Sequence, residues 1–282
     1  MPTDVILVVL AAALLHATWN AMAKGRQGSD PLIGATVIAA GASVVSLLML
    51  ATMGLPAAAS LPYVVCSAII HVGYFLLLGL SYRLADYSAI YPLMRGSAPL
   101  ITAAGGFILV GERIGASALF GIALLSGGVL GLGLHSIARG GLSRAGLAVA
   151  AANIAIIVAY TLIDGVGVRL SGSAGGYVAA MMLLSGLLLL PAVAFRRPAE
   201  LAERLSSHWR IGLIGGAMVM ASYGAALWAM TKAPIGAVAA LRETSVLFGA
   251  AIATLFMGER LSAARVVSTV AIFGGLACLR MT

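Results

Sequence analysis

Charge is what this chain has least of. Asp, Glu, Lys and Arg make up 9% of its 282 residues, against about 25% in a soluble domain. Such a chain cannot cover a water-facing surface, so lipid must be the solvent around most of it. Acidic residues are the scarcest, 9 against 17 basic, which leaves a formal net charge of +8. The basic residues fall mostly in short loops between apolar stretches, not on a patch of a soluble domain. Nucleic acid is therefore not an expected partner. Cysteine is nearly absent. Cys66 and Cys278 both lie in apolar stretches and read as small buried hydrophobes, not a disulfide or a metal pair. Catalytic signatures are missing as well. There is no HExxH motif, and His16 and His71 have no acid at ligand spacing. A membrane-embedded enzyme needs clustered ligands or an activated nucleophile, so the chain reads as a non-enzyme without cofactor or metal. Met1-Pro2-Thr3-Asp4 lacks the positive n-region of a signal peptide. The first apolar stretch thus reads as a retained helix.

What the chain does have is apolar length. Hydrophobic residues make up 61% of it, and its mean hydropathy is +1.07. Its 35 glycines suit helices that approach closely in a membrane. A helix needs about 20 apolar residues to span the hydrocarbon core. Ten such segments can be placed, at roughly 4–24, 31–54, 61–83, 87–110, 114–135, 143–166, 174–195, 208–231, 235–257 and 261–280. The loop expected at 196–207 is the longest and most charged.

The sequence also repeats. One constant shift lays Gly111-Glu112-Arg113 on Gly258-Glu259-Arg260, Arg95 on Arg242, Leu100 on Leu247, and Gly127-Gly128 on Gly274-Gly275. Five helices per half is an odd number, so the second copy enters the membrane from the opposite side. Residues 1–137 and 143–282 then form an inverted repeat, the plan of many secondary transporters. Lys and Arg cluster after the odd-numbered segments, with only Arg113, Arg169 and Lys232 after the second, fourth, sixth and eighth. The positive-inside rule puts both termini outside.

The few polar residues inside these segments are the candidate site. Arg95 lies about eight residues into the fourth segment, roughly 12 Å along its axis. A charge at that depth costs about 2.5–3.5 kcal/mol on insertion scales, and such residues face a polar interior. Arg242 is similarly placed in the ninth segment, with Glu243 beside it. A purely structural Arg242–Glu243 pair is the plain alternative to a substrate or gating role. Arg95 has no acid next to it in sequence. His16, Trp19, Asn20 and Lys24 share one face of the first segment, a polar stripe that must look into the bundle. His71 and Tyr74 lie midway along the third. Trp19, Tyr74, Tyr91, Tyr160 and Tyr223 suit a cavity lining, whereas Tyr63, Tyr82, Tyr177 and Trp209, near segment ends, suit interfacial anchors. Asp164 reads either as a solvated loop acid or as a proton carrier. Pro92 and Pro99 are expected to break the fourth segment twice and to present Arg95 at a bend. The second copy has no proline there. The Gly-Glu-Arg triplets read as structural turns, glycine closing one helix and the charged pair beginning the next turn.

This pattern resembles the drug/metabolite transporter superfamily, in its EamA-like ten-helix branch. The carriers are Gly111-Glu112-Arg113-Ile114 and Gly258-Glu259-Arg260-Leu261, each after the fourth helix of a five-helix repeat. A glycine-rich fifth helix follows each, with Gly127-Gly128 and Gly274-Gly275. The start His16-Ala17-Thr18-Trp19-Asn20 resembles an EamA-like subgroup associated with phosphonate utilisation. The resemblance covers nearly the whole chain. It implies an all-α integral membrane fold with a central cavity between helices 1–4 and 6–9, helices 5 and 10 being peripheral. It also implies alternating access without ATP, and the lack of a GxxxxGK[ST] phosphate loop agrees.

The leading expectation is a secondary active transporter in the inner membrane. Its substrate would be a small polar metabolite, anionic or zwitterionic, such as an amino acid or an organophosphonate. Arg95 and Arg242 would bind the acidic group, because the guanidinium fork suits carboxylates and phosphonates. Glu243 and the aromatic rings would take an amine. Protons, if they are the coupling ion, would ride on His16, His71 or Glu243. The alternative is a proton-coupled exporter of organic cations or drugs, with Glu243 as its essential charge. Gly127 and Gly131 form a small-residue face on the fifth segment that suits either the tenth segment or a second copy in a homodimer.

Overall fold

Apolar runs of this length have no water to satisfy their backbone in lipid, so they must fold as helices. The computed structural model describes residues 1–24, 30–84, 87–257 and 263–281. Among them lie α1 (Thr3–Lys24), α2 (Pro31–Met53), α3 (Leu61–Leu84), α4 (Tyr87–Gly105) and α5 (Ala116–Gly140). Then come α6 (Arg144–Leu170), α7 (Ala174–Arg196), α8 (Pro198–Met230), α9 (Ile235–Arg242), α10 (Ser245–Met257) and α11 (Ala263–Arg280). The described residues contain no strand. Eight helices among them are long and apolar enough to cross a membrane. Arg26 and the second triplet, Gly258-Glu259-Arg260 with Leu261, lie outside the described residues.

Helix starts are capped by side chains where the sequence offers them. Asp30 accepts from the Leu32 amide at 2.8 Å, Ser143 from Gly146 at 3.0 Å and Ser173 from Gly176 at 3.0 Å. Each satisfies a donor that the first turn leaves unpaired.

Two expectations about breaks are reversed. The loop expected at 196–207 is the first part of α8, which bends at His208 (φ −125°, ψ 20°). Pro198 at the helix start and Glu200 in the first turn favour this, since both suit the donor-rich end of a helix. Leu201 then anchors the turn in a small core with Ile33, Leu189 and Val193. Arg197, at the junction, pairs with Asp30 and Glu200. The hydrogen bond and charge of Asp30 push its guanidinium pKa further up, so it stays cationic.

The second reversal concerns the prolines. α4 runs through both Pro92 and Pro99 and ends in a π-helical turn, Gly106–Val110. The interruption falls instead in the copy without proline. The expected ninth span, 235–257, is split into α9 and α10. Four amide bonds there are of the tighter i→i−3 kind, from Glu243 to Ala240, Thr244 to Leu241, Val246 to Glu243 and Leu247 to Thr244. Thr244 also donates its hydroxyl to the Leu241 carbonyl at 2.8 Å. A side chain and a tight turn thus satisfy the backbone, so no proline is needed to stop the helix.

Large apolar side chains face outward, and a few charged and polar ones are hidden within an otherwise apolar interior. Leu48, Phe107, Ile108, Phe195 and Val267 are exposed, whereas Arg95, Asn153, Asp164, His71 and Glu243 are buried. Cys66 is also exposed and Cys278 partly so, both as free thiols. Cys66 therefore sits on the apolar outer face, not in the core as expected. α2 packs on α7 and α8, α1 on α8 and α10, α3 on α6 and α7, α4 on α5, α6 and α9, and α5 on α11. One apolar core runs through these contacts, from Val5 to Leu279.

Glycines set the closest crossings. A Cβ on Gly41 would lie 2.0 Å from the Gly212 carbonyl oxygen, and one on Gly216 would lie 2.2 Å from the Ala42 nitrogen. α2 and α8 thus meet backbone to backbone. α5 and α11 meet through Gly121, Gly128 and Gly275. Gly127 and Gly131, the face singled out from spacing, have nothing within 4 Å of an added Cβ. That face does not pack α11.

Candidate functional site

α4 carries Arg95 into the middle of the bundle, where it is 6% exposed. Its partner is Glu243, at the interruption between α9 and α10. Nε donates to Oε2 at 3.0 Å, and Nη2 lies 2.8 Å from Oε1. The expected alternative, Arg242 pairing with Glu243, is not what forms. Consecutive residues of a helix do not face each other, so Arg242 and Glu243 point to different neighbours. In the first copy the position of Glu243 is taken by Gly96, where a Cβ would lie 2.7 Å from Leu130. The ion pair thus joins α4 to the junction of α9 and α10.

Arg242 turns toward α8. Its guanidinium lies 5.1 Å over the ring of Tyr223, a cation–π contact. No carboxylate among the described residues pairs with it. The hydroxyl of the same tyrosine donates to Asp164. The other oxygen of Asp164 accepts from Tyr177 at 2.9 Å. Asp164 is 0% exposed, so its reading as a solvated loop acid is corrected. α6 continues to Leu170, past the end expected from hydropathy, and this places Asp164 inside the span. Tyr177 is corrected for the same reason. It is fully buried and spends its hydroxyl on Asp164, so it is no interfacial anchor. Trp209, 56% exposed, does fit that role.

His71, on α3, stacks on Tyr160 with ring centroids 4.3 Å apart and meets Tyr223 at 5.7 Å. Its Nδ1 lies 2.9 Å from the Ser67 carbonyl. A carbonyl only accepts, so Nδ1 carries the proton in the neutral ring, and Nε2 keeps the lone pair. Tyr74 meets Tyr160 edge to face at 5.7 Å. Tyr91, one turn before Arg95, is within electrostatic range of Arg95, Glu243 and Arg242. On α1, His16 is within range of both arginines, and Trp19 meets it edge-on at 5.4 Å. The Trp19 indole N–H is buried without a hydrogen-bond partner among the described residues. Asn20 turns its amide back to the His16 carbonyl at 2.8 Å. α1, α3, α4, α6, α8 and α9 thus bring the predicted residues to one polar centre.

Three features escaped the sequence reading. The sequence shows Asp164 but not its partners, Tyr177 and Tyr223. Asn153 on α6, fully buried, donates to Ser81 of α3 at 2.9 Å. Glu112 does more than turn the chain. Gly111 closes the π turn with a left-handed φ of +73°, as expected. Glu112 follows in the turn before α5. Its carboxylate accepts the Ile235 amide at 3.0 and 2.9 Å, capping α9 from the other copy. Arg169 joins it at 2.5 Å and also donates to the Met230 and Ala233 carbonyls. The only signal for this was an acid directly after a helix-closing glycine.

Buried charges between interleaved apolar helices, one of them on an interrupted span, define a multi-pass membrane protein with a polar centre shielded from lipid. Residues 144–281 match the EamA-like transporter family. The second half of the chain is thus similar to EamA-like transporters. A solved crystal structure is similar along the full length, with a TM-score of 0.81 at 19% identity. The alignment covers 100% of this chain and 98% of that one. At that identity the likeness speaks for the fold alone. No curated protein sequence matches the chain.

Proposed function

We propose that the protein is a secondary active transporter of a small polar metabolite, anionic or zwitterionic, working by alternating access in the inner membrane. In this reading the ten spans form two inverted five-helix repeats, with α9 and α10 counted as one span and both termini outside. The packing supports it. Exchanging the halves turns the α1–α8 contact into α6–α3, α2–α8 into α7–α3, and α1 on α9 and α10 into α6–α4. The α2–α7 and α5–α11 contacts map onto themselves. A homodimer would use the open α5 face at Gly127 and Gly131.

One observation carries the substrate class. Arg242 is a half-buried cation with no acidic partner among the described residues, resting on a tyrosine ring. Arg95 is already neutralised by Glu243. Arg242 is therefore the group with charge to spare for a carboxylate, phosphate or phosphonate. The indole donor of Trp19, buried and unpartnered, offers a further contact to a polar solute. The test is uptake of amino acids and small phosphonates into proteoliposomes. Loss of one charge-assisted hydrogen bond costs about 1.5–3 kcal/mol, so Arg242→Ala should weaken anion affinity by roughly tenfold to a hundredfold. Unchanged affinity would refute the assignment.

A second reading, a proton-coupled exporter of organic cations, is favoured by the rings of Tyr74, Tyr160 and Tyr223 around the centre. It requires Glu243 to leave Arg95 during transport. It predicts that Glu243→Gln abolishes transport and that multi-aromatic cations protect the protein against heat.

A further inference from the structure

The four buried or half-buried charges of the centre are not equivalent. Arg95 and Glu243 hold each other directly, at 3.0 and 2.8 Å. Asp164 and Arg242 are kept apart by one residue. The ring of Tyr223 lies under the Arg242 guanidinium, and its hydroxyl donates to the Asp164 carboxylate. Both carboxylate oxygens of Asp164 accept from neutral phenols, Tyr177 and Tyr223. No cation pairs with it among the described residues. The groups around it come from every neighbouring element. α3 presents Ser67 and His71 to the carboxylate, with Cys66 and Tyr63 acting on Tyr177 behind it. α7 supplies Tyr177 and α8 supplies Tyr223. α9 brings Arg242, and α4 brings Arg95, which acts with Arg242 on the adjoining Tyr160.

We propose that Asp164 is the proton-binding site of this transporter, and that its proton balances an anionic substrate held at Arg242. The proposal rests on the secondary-transport reading for its consequence, but not for the site itself. In the step, a hydronium ion of the aqueous phase gives its proton to one carboxylate oxygen and leaves as water. Asp164 passes from −1 to neutral. Its new O–H must donate, so Tyr223 turns its hydroxyl from donor to acceptor, which a phenol oxygen can do. With Asp164 ionised, its charge offsets Arg242 across the ring, and the centre is neutral overall. With Asp164 protonated, the centre carries one uncompensated positive charge and is matched to one anion. Proton and anion then cross together as a neutral load, which lipid surroundings favour over a charged one. The sequence offers His16, His71, Glu243 and Asp164 as proton carriers. The geometry favours Asp164, because Glu243 is held by Arg95, whereas Asp164 has no cationic partner among the described residues and both its oxygens meet phenol hydroxyls that can turn.

The test uses the full chain in phosphatidylethanolamine–phosphatidylglycerol vesicles. Infrared difference spectra between acid and alkaline buffer should show a protonated-carboxyl band. The band should vanish in Asp164→Asn and shift in Tyr223→Phe. If Asp164→Asn does not fold, Asp164→Glu should shift the band instead. A band that survives Asp164→Asn, or that disappears with His71→Gln, overturns the site. These spectra need no substrate, so they stand apart from the transport reading. The coupling is read with 2-aminoethylphosphonate as probe in a thermal-shift assay. Wild type should be protected more at acid than at alkaline pH, and Asp164→Asn equally at both. Protection that does not change with pH in the wild type overturns the coupling.

Discussion

Removal of Glu243 is the sharpest test of the central ion pair. The Arg95 and Glu243 side chains are 7% and 5% exposed, and they meet at 2.8 Å. Taking away one partner leaves a buried charge alone, which costs about 3–5 kcal/mol. Replacing both by apolar residues of similar volume is commonly neutral, or stabilising by about 1–4 kcal/mol. Each kcal/mol moves the unfolding midpoint by about 2–4 °C in chains of 150–250 residues. Glu243→Leu is thus expected to lower the midpoint by roughly 6–20 °C. Arg95→Met should do the same. The double variant should recover most or all of the loss, because no orphan charge remains. The assay is the fraction of protein that stays monodisperse in detergent after heating, read by gel filtration for wild type, both single variants and the double. If the double variant loses the sum of the two single losses, the residues do not interact, and the pairing across the two copies is wrong. A small effect of either single variant would equally refute the burial argument.

Two contrasts test the rest of the fold. Gly216→Ala should cost about 1–3 kcal/mol by overpacking, because its Cβ would meet the Ala42 backbone at 2.2 Å. Gly131→Ala, with nothing within 4 Å, should be stabilising by about 0.5–1 kcal/mol through lower chain entropy. The same heating assay ranks them, and the opposite order would mean that α2 and α8 do not cross there. Glu112→Gln should weaken the α9 cap and its ion pair with Arg169, at about 1.5–3 kcal/mol. Hydrogen exchange at the amides of 235–238 should speed up accordingly. Unchanged exchange would remove Glu112 from that role.

Much of the architecture is legible in the sequence. Eight helices among the described residues are long and apolar enough to cross a membrane, and all but α8 lie close to the segments expected. The segments misjudged were those where local signals compete with tertiary contacts. A charged stretch at 198–207 looked like loop by composition, yet Pro198, Glu200 and the buried Leu201 make it helix. Two prolines looked like breaks, yet α4 continues through them. The real interruption, at Glu243-Thr244, has no local breaker. It is a tight turn of i→i−3 bonds, helped by the Thr244 hydroxyl, and it sets Glu243 against Arg95, far away in sequence. The site was legible as a list of polar residues in apolar segments, because a charge in lipid is costly enough to need a reason. The partners within that list were not legible. Adjacent Arg242 and Glu243 suggested a pair, but their side chains leave the helix in different directions.

Composition, hydropathy and the internal repeat determined by themselves that this is an all-helical membrane protein with polar residues to hide. Those are sums and periods along the chain, and lipid penalises their violation locally. Which charge neutralises which was decided by tertiary structure alone. Arg95 finds Glu243, Glu112 caps α9, and Asp164 takes two tyrosines because helices distant in sequence cross beside one another. Side-chain partnership depends on distance and direction in space, and these arise only once the helices have packed.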